Sequence, residues 1–370
     1  MKITRTGSIA AIAIVGAMAL AGCSTAGGGT TPAPTSAPMD YSSISGTLSA
    51  GGSSAQGNAE SAWTAAFKGL GATLTFEYDK SQGSGGGRTK FLAGEYDFAG
   101  SDAPLSADET TSAATTCGAD GAIDLPIYLD GVSIAYNVSG VTDLNLSSAT
   151  IAKIFNLKIT DWSDPAIAAD NGGKALPSGP ITTVVRSDSS GTATNFTKFL
   201  VGTAGTEWPY PAGGTWPITA GVSAQKGGSA VAGTIGTTAG AIGYVDHSAA
   251  KDSNGKALTV ANVNGVAYTP EAVSSTLANI GTVKSNGVAG DLSISFDYSK
   301  LAATDYPVPL LSYAIICKTF ANPAQAELTK AYLGFIASTT GQQVAAKNAG
   351  AAPLPESILA QITASLADVK

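Results

Sequence analysis

The chain contains a single histidine, His247, among its 370 residues. A Ser-His-Asp triad would have to use this side chain, and zinc or other transition-metal catalysis would lack its commonest ligand. The sequence also contains no Gly-x-Ser-x-Gly, His-Glu-x-x-His, Cys-x-x-Cys or Gly-x-x-x-x-Gly-Lys-Ser/Thr motif. We interpret His247 as a surface residue and expect no enzyme activity, no metal and no cofactor. A secreted hydrolase that uses His247 is the alternative from another functional class.

Long apolar runs are also scarce, and the only candidate lies at the amino terminus. Basic residues precede an apolar run over residues 9–21, which is too short to span a bilayer comfortably. It ends in Leu20-Ala21-Gly22-Cys23, which resembles the bacterial lipobox, whose cysteine becomes the lipidated amino terminus. We expect residues 1–22 to be a lipoprotein signal peptide and residues 23–45 to be the lipidated Cys23 and a flexible tether. An ordinary secretory cleavage beside an incidental cysteine is the alternative.

The two other cysteines, Cys117 and Cys317, are expected in an oxidising compartment, where they can form a disulfide. Two free buried thiols are the alternative. A bridge between them would close a very long loop, worth on the order of 4–5 kcal/mol in the chain-entropy model.

We expect the protein to be extracytoplasmic, with the lipid on Cys23 as its only membrane attachment.

Positive charge is in deficit, with 27 Asp and Glu against 20 Lys and Arg. Removal of the leader with Lys2 and Arg5 leaves 27 acidic against 18 basic residues, a net charge of −9. This balance argues against nucleic acid and anionic membrane surfaces as partners. A small anion remains possible, because a local site acts within a Debye length of about 8 Å.

Strand and helix patterns alternate along the remaining sequence. Apolar residues recur at helical spacing over residues 58–70, and Leu74, Phe76 and Tyr78 then alternate as in a half-buried strand. Similar pairs of patterns continue to a final helix near residues 355–366. This alternation predicts an α/β fold with helices on both faces of mixed sheets.

Three Gly/Ser-rich loops each precede a predicted helix. The loop Arg186-Ser187-Asp188-Ser189-Ser190-Gly191-Thr192 follows an apolar strand pattern, and the others are Gly51–Ser54 and Gly83–Gly87. A helix amino terminus presents unpaired N–H groups and partial positive charge, which suit an anion. One such loop is often only a capped helix start, but three can converge on one ligand.

Several strings together resemble the phosphate-specific substrate-binding lipoprotein of the high-affinity phosphate ABC transporter, the PstS type. They are Gly83–Gly87, Asp97–Ser106, Arg186–Thr192, Ile154–Trp162 and Gly240–Val245, in the order of that family. The resemblance implies a two-lobed periplasmic-binding-protein fold of type II that closes over phosphate in the cleft. It further implies a monomer that delivers phosphate to permease subunits for import.

The resemblance also implies a ligand set. The phosphate-binding positions of the family fall on Ser54, Ala55, Ser84, Asp97, Arg186, Ser190, Gly191 and Thr192. Asp188 is the expected partner that orients Arg186. Ala55, where the family commonly has phenylalanine, would contribute its backbone N–H.

Asp97 is the acceptor in this set. An ionised carboxylate only accepts hydrogen bonds, so it favours phosphate, which keeps a proton near neutral pH, over sulfate, which does not. A turn carboxylate that pairs with a nearby backbone N–H is the alternative for Asp97, and binding of sulfate, molybdate or another oxyanion is the alternative for the protein.

The implied lobes divide the chain discontinuously. We expect lobe I over residues 46–126 and 307–370 and lobe II over residues 127–306, with crossovers near Pro126–Gly131 and Tyr306–Pro309.

Overall fold

The computed structural model describes residues 40–370, through which strands and helices alternate as the sequence predicts. The α-helices of this range are α1 Gly57–Gly69, α2 Gly83–Leu92, α3 Ala107–Cys117, α4 Ser148–Phe155, α5 Pro165–Asp170, α6 Gly191–Thr203, α7 Gly228–Thr237, α8 Pro270–Ile280, α9 Pro323–Ile336, α10 Thr339–Ala349 and α11 Glu356–Ala367. The strands are β1 Ser45–Thr47, β2 Ala50–Gly52, β3 Thr73–Thr75, β4 Phe98–Ser101, β5 Ala122–Tyr136, β6 Asn145–Leu146, β7 Thr182–Arg186, β8 Ser223–Gln225, β9 Ala241–Asp246, β10 Thr259–Val260, β11 Asn262–Val263, β12 Gly281–Val283, β13 Ile294–Phe296 and β14 Pro309–Cys317. Short 3₁₀ turns lie at Gly205–Glu207, His247–Ala249 and Tyr298–Lys300.

The main sheet has the strand order β2-β4-β14-β5-β9-β7-β8, with β10 paired to β5 beside this path. β5 is shared by the two halves, because residues 122–131 pair antiparallel with β14 and residues 132–136 pair antiparallel with β9. β2 and β4 run parallel to each other, as do β9, β7 and β8. We call β2, β4 and β14 with the first part of β5 the first half-sheet, and the remaining strands the second half-sheet.

The change of partner along β5 lies at the end of the predicted crossover Pro126–Gly131, and β14 starts at Pro309 beside the predicted return. The lobe limits themselves stay predictions, since residues 40–370 form one compact unit. One part of predicted lobe II bonds to the first half-sheet: the N–H of Leu292 donates to the carbonyl of Asp124 at 3.0 Å.

Buried aromatic and aliphatic side chains fix the helices to both half-sheets. Trp63 and Phe67 of α1 are fully buried, and the ring of Phe67 meets that of Tyr332 at a centroid distance of 5.4 Å. On α6, Phe196, Phe199 and Leu200 are fully buried, as their helical spacing predicts. Burial of these faces holds α1 and α6 in fixed positions, and with them the loops that precede each helix.

The structure shortens the predicted tether. Residues 23–45 were expected to be flexible, but the N–H of Tyr41 donates to Leu70 at 3.0 Å and its ring lies 4.5 Å from that of Phe67. The chain is therefore part of the fold from Tyr41 onward, because an aromatic ring gains more by burial than a polar tether does. The signal peptide predicted over residues 1–22 and the lipidation predicted at Cys23 lie outside the described residues.

Gly83–Gly87 is the beginning of α2 and not a loop. Its glycines allow a close approach to β2, since a β-carbon on Gly87 would lie 2.5 Å from the Cα atom of Gly52. Helix propensity disfavours glycine, but here the packing of α2 directly on a strand requires it.

Cys117 and Cys317 form a disulfide that joins the end of α3 to the end of β14. Between residues 40 and 370, no helix combines the length and hydropathy needed to cross a bilayer.

Candidate functional site

Four helix amino termini converge at the carboxyl ends of β2, β4 and β7. The N–H of Gly85 on α2 donates to the carbonyl of Ser189, just before α6, at 3.1 Å. The N–H of Gly227, just before α7, donates to Asp188 at 3.0 Å, and Ser54, just before α1, accepts from Arg186 at 3.4 Å. Such convergence concentrates N–H dipoles at one point and suits an anion.

Arg186 supplies a full positive charge at the end of β7. It is buried, with 2% of its surface exposed. Its Nε and Nη2 atoms donate to the two carboxylate oxygens of Asp188 at 2.8 and 2.5 Å, and Nη1 points to Ser54 Oγ. This bidentate pair fixes the guanidinium plane. Burial alone would raise the pKa of Asp188, but the hydrogen bonds and charge of Arg186 outweigh it and lower that pKa.

Asp102 places a buried carboxylate opposite Arg186, immediately after β4. Its Oδ1 accepts from the hydroxyl groups of Ser53 and Ser312, the latter at 2.5 Å. The Oγ atom of Ser84 lies 3.4 Å from Oδ2 and accepts from the backbone N–H of Asp102 at 3.1 Å. Burial raises the pKa of Asp102, while the bonds from Ser312 and Ser53 and the charge of Arg186 oppose that rise.

The start of α6 faces Asp102 at contact range. Asn195 of α6 donates to the carbonyl of Asp102 at 2.6 Å. A β-carbon on Gly191 would lie 2.5 Å from Asp102 Cβ and would also strike Ser84 Oγ, so only glycine fits here. Ser190 caps α6 by accepting from Ala193 N–H at 3.1 Å. The buried hydroxyl of Thr192 has no hydrogen-bond partner within residues 40–370, which leaves it as a polar group available to a ligand.

Asp97 is not part of this cluster. It lies before β4, at the opposite end of the strand from Asp102, and its carboxylate accepts from the backbone N–H and the hydroxyl of Ser49 at 2.7 and 3.0 Å. Asp97 thus pairs with a backbone N–H, as in the alternative, but it does so with Ser49 just before β2 and not within its own turn. Seven of the eight predicted ligand positions therefore lie together, and the eighth does not.

Comparisons with known proteins identify the family of the chain. A family model described as a PBP superfamily domain matches residues 35–340. The phosphate-binding protein PstS2 of Mycobacterium bovis is 37% identical over 326 residues, which cover 86% of each chain. The chain belongs to the PstS family. Another PstS-family relative, phosphate-binding protein PstS 3 of Mycobacterium leprae, is 33% identical over 372 residues and 98% of each chain.

The solved structures show the same fold. That of a human phosphate-binding apolipoprotein has a TM-score of 0.68, with 22% identity over 86% of this chain and 93% of that one. The expected PstS-type fold, two-lobed and with mixed sheets flanked by helices, is thereby confirmed.

Sequence reasoning missed several groups of this cluster. Asp102 is the buried carboxylate of the cluster, and Ser53 donates a hydrogen bond to it. Gly227 precedes the fourth helix amino terminus, and buried Asp246 lies beside Gly228. A rule of α/β sheets could have identified Asp102, because ligands bind beyond the carboxyl ends of parallel strands. Asp102 follows β4, whereas Asp97 precedes it.

Ala55 and Ser84 already have partners inside the cluster. The N–H of Ala55 donates to Ser53 Oγ at 3.1 Å, and Ser84 accepts from Asp102 as described above. Both residues are buried in the cluster, and their place in the ligand set stays a prediction.

His247 is half-buried and not a surface residue. Its ring stacks on that of Tyr268 at a centroid distance of 3.5 Å, and its Nδ1 atom lies 2.8 Å from Ser133 Oγ. Burial lowers the pKa of His247 to about 4. Ser133 is fully buried, so this Ser-His pair cannot receive a substrate. Within residues 40–370, no group of three or more His, Cys, Asp or Glu side chains is placed to hold a metal ion.

Proposed function

We propose that this chain binds inorganic phosphate outside the cytoplasmic membrane and delivers it to the permease subunits of an ABC transporter. The observation that carries the proposal is the buried carboxylate of Asp102 opposite Arg186 and the helix amino termini. The donors select an oxyanion, and the acceptor selects one that still holds a proton. Phosphate near neutral pH meets both conditions.

The proposed ligands are the predicted set with Asp102 in the place of Asp97. They are Ser54, Ala55, Ser84, Asp102, Arg186, Ser190, Gly191 and Thr192, with Asp188 orienting the guanidinium. The names of the curated relatives, which are phosphate-binding proteins, support phosphate as the ligand. Closure of the two walls over the anion is supported by the Asn195–Asp102 bond, which joins α6 to the loop after β4.

Titration calorimetry of the purified protein with phosphate and with sulfate tests this function. We expect phosphate to bind more tightly than sulfate by about 10⁴-fold or more, because an unprotonated sulfate oxygen would face the Asp102 carboxylate with repulsion and without a hydrogen bond. Sulfate or molybdate binding as tightly as phosphate would contradict the selectivity argument. Hydrolysis of a phosphoester that is lost in His247→Ala would favour the hydrolase instead.

We further propose that Cys23 carries the lipid anchor and that the protein is a monomer. The string Leu20-Ala21-Gly22-Cys23 supports the anchor. Expression of Cys23→Ala in a bacterium with lipoprotein processing should release the protein from the membrane fraction, and labelled palmitate should no longer be incorporated. Light scattering of the released protein should give a mass of one chain.

A further inference from the structure

Asp246, the last residue of β9, is a buried carboxyl group beside the cluster that has no role in the function described so far. We propose that Asp246 is a second carboxyl contact of the bound phosphate, and that one proton is shared between its Oδ1 atom and a phosphate oxygen. This inference rests on the proposed phosphate binding and adds the protonation state in which the anion is held.

The position of Asp246 supports the contact. Its Oδ2 atom accepts from Ser248 Oγ at 3.1 Å, whereas its buried Oδ1 atom has no hydrogen-bond partner in the described chain. A β-carbon placed on Gly228, the first residue of α7, would lie 2.9 Å from this Oδ1 and 3.6 Å from Ser54 Oγ. Ser54 in turn accepts from Arg186. The unpaired oxygen therefore lies on the side of the cluster formed by Ser54 and Arg186.

A buried, unpaired carboxyl oxygen is costly unless a partner reaches it. A phosphate held by Ser54 and Arg186 provides that partner through one of its own protons. In alkaline solution the dibasic anion brings only the proton that Asp102 accepts, so the shared proton is taken up from the solvent. The complex then holds one proton between Asp246 and the anion.

The charge balance of the site requires this proton. One guanidinium, that of Arg186, faces the carboxyl groups of Asp188, Asp102 and Asp246. Asp188 neutralises Arg186, so a dianion would join two further negative groups in a buried site. One shared proton removes a negative charge where like-charge repulsion is strongest.

The groups that face Asp246 come from several elements. They are Arg186 of β7, Asp102 after β4, and Asp130 and Tyr128 of β5. Burial raises the pKa of Asp246, and Arg186 opposes that rise. Asp130 is already saturated, since its oxygens accept from Tyr128, Gly131, Ser248 and Tyr268. The free oxygen next to the anion thus belongs to Asp246.

The test compares the pH dependence of phosphate affinity in the wild type and in Asp246→Asn. Calorimetry from about pH 7 to about pH 9.5 should show the wild-type Kd rising about tenfold per pH unit in the alkaline part of this range, where binding must take up the shared proton. The proton that Asp102 accepts adds nothing to this slope, because dibasic phosphate still carries it. In Asp246→Asn an amide N–H replaces the shared proton, so the alkaline slope of log Kd against pH should fall by about one.

Glu60→Gln is the matched control. Glu60 is a buried carboxyl group with one unpartnered oxygen and a raised pKa of about 8, but it bonds to Tyr332 and not to the cluster. This variant should keep the wild-type slope. An equal slope in wild type and Asp246→Asn, or a slope lost in Glu60→Gln instead, would overturn the inference.

Proton uptake by the wild type gives a second test that needs no variant. Binding heats at about pH 9 in two buffers of different ionisation enthalpy should show uptake of about one proton per phosphate. Tight binding without uptake would overturn the role of Asp246 and leave the proposed function intact. Absence of phosphate binding at every pH would overturn the proposed function itself.

Discussion

The choice between two aspartates decides the proposed selectivity. Asp97 and Asp102 stand on either side of β4, a strand of only four residues. Because β4 runs parallel to β2 and both end at the cluster, the residue after the strand reaches the site and the residue before it does not. The string Asp97–Ser106 resembled the family as a whole, but resemblance of a string does not say which of its two carboxylates bears the role.

Asp102→Ala should therefore erode the preference for phosphate over sulfate, because the buried acceptor that requires a proton is removed. We expect phosphate affinity to fall by about 10²-fold or more, as for loss of a hydrogen bond to a charged group. Calorimetry with both anions measures the change, and Asp97→Ala, which loses only its bonds to Ser49, is the control. Loss of selectivity in Asp97→Ala with none in Asp102→Ala would contradict this assignment.

Gly191→Ala should block closure of the site with little loss of stability. The added methyl group would meet Asp102 and Ser84 across the cluster, whereas alanine is favoured over glycine within a helix. Phosphate affinity should fall at least about tenfold while the melting temperature changes by only a few degrees. Gly233→Ala on α7, where nothing lies within 4 Å of the added carbon, should keep wild-type affinity, and an equal loss in both variants would rule out the steric explanation.

At the scale of elements, periodicity predicted several helices and strands near their observed limits. The helix predicted over residues 58–70 is α1 Gly57–Gly69, and the final helix predicted near residues 355–366 is α11 Glu356–Ala367. Two of the failures have clear physical causes. α2 begins with glycines because it packs on β2, and the start of α7 was missed because Gly227 and Gly228 carry no side chain to signal a cap. Backbone packing of this kind leaves little trace in a sequence pattern.

The docking of α1 should make stability depend on pH through Glu60. Burial raises the pKa of Glu60 to about 8, against the opposing bond from Tyr332 at 2.8 Å. The folded state therefore holds this proton where the unfolded chain has released it. The stabilisation is complete below about pH 4.5 and is lost as the pH rises through about 8.

Glu60→Gln should remove this part of the pH dependence. Urea unfolding at about pH 5 and about pH 8.5 should show a fall in wild-type unfolding free energy that is smaller in the variant by at most about 5 kcal/mol. An identical pH dependence in both proteins would show that Glu60 is already ionised in the folded state.

At the scale of the whole molecule, β5 is the element that relates the two halves of the fold. Its first part belongs to the first half-sheet, which leads to Asp102, and its second part belongs to the second half-sheet, which carries Arg186. The predicted crossovers lie beside this change of partner. Which residues move together cannot be predicted from periodicity, because residues near 292, far along the chain, bond back to the first half-sheet.

The disulfide stabilises this assembly away from the site. Cys117 and Cys317 are separated by 200 residues; Cys317 ends β14 of the first half-sheet, and Cys117 ends α3, which packs on that half-sheet. The bridge restricts the unfolded chain, so replacement of both cysteines by serine should lower the unfolding free energy by up to about 5 kcal/mol. Guanidinium unfolding measures this loss, and the wild type with its disulfide reduced should match the double variant. Phosphate affinity should stay within about twofold, because neither cysteine contacts the cluster and the Asn195–Asp102 hydrogen bond joins α6 directly to the loop after β4. A large loss of affinity in a folded double variant would mean that the bridge also sets the position of the first half-sheet relative to α6.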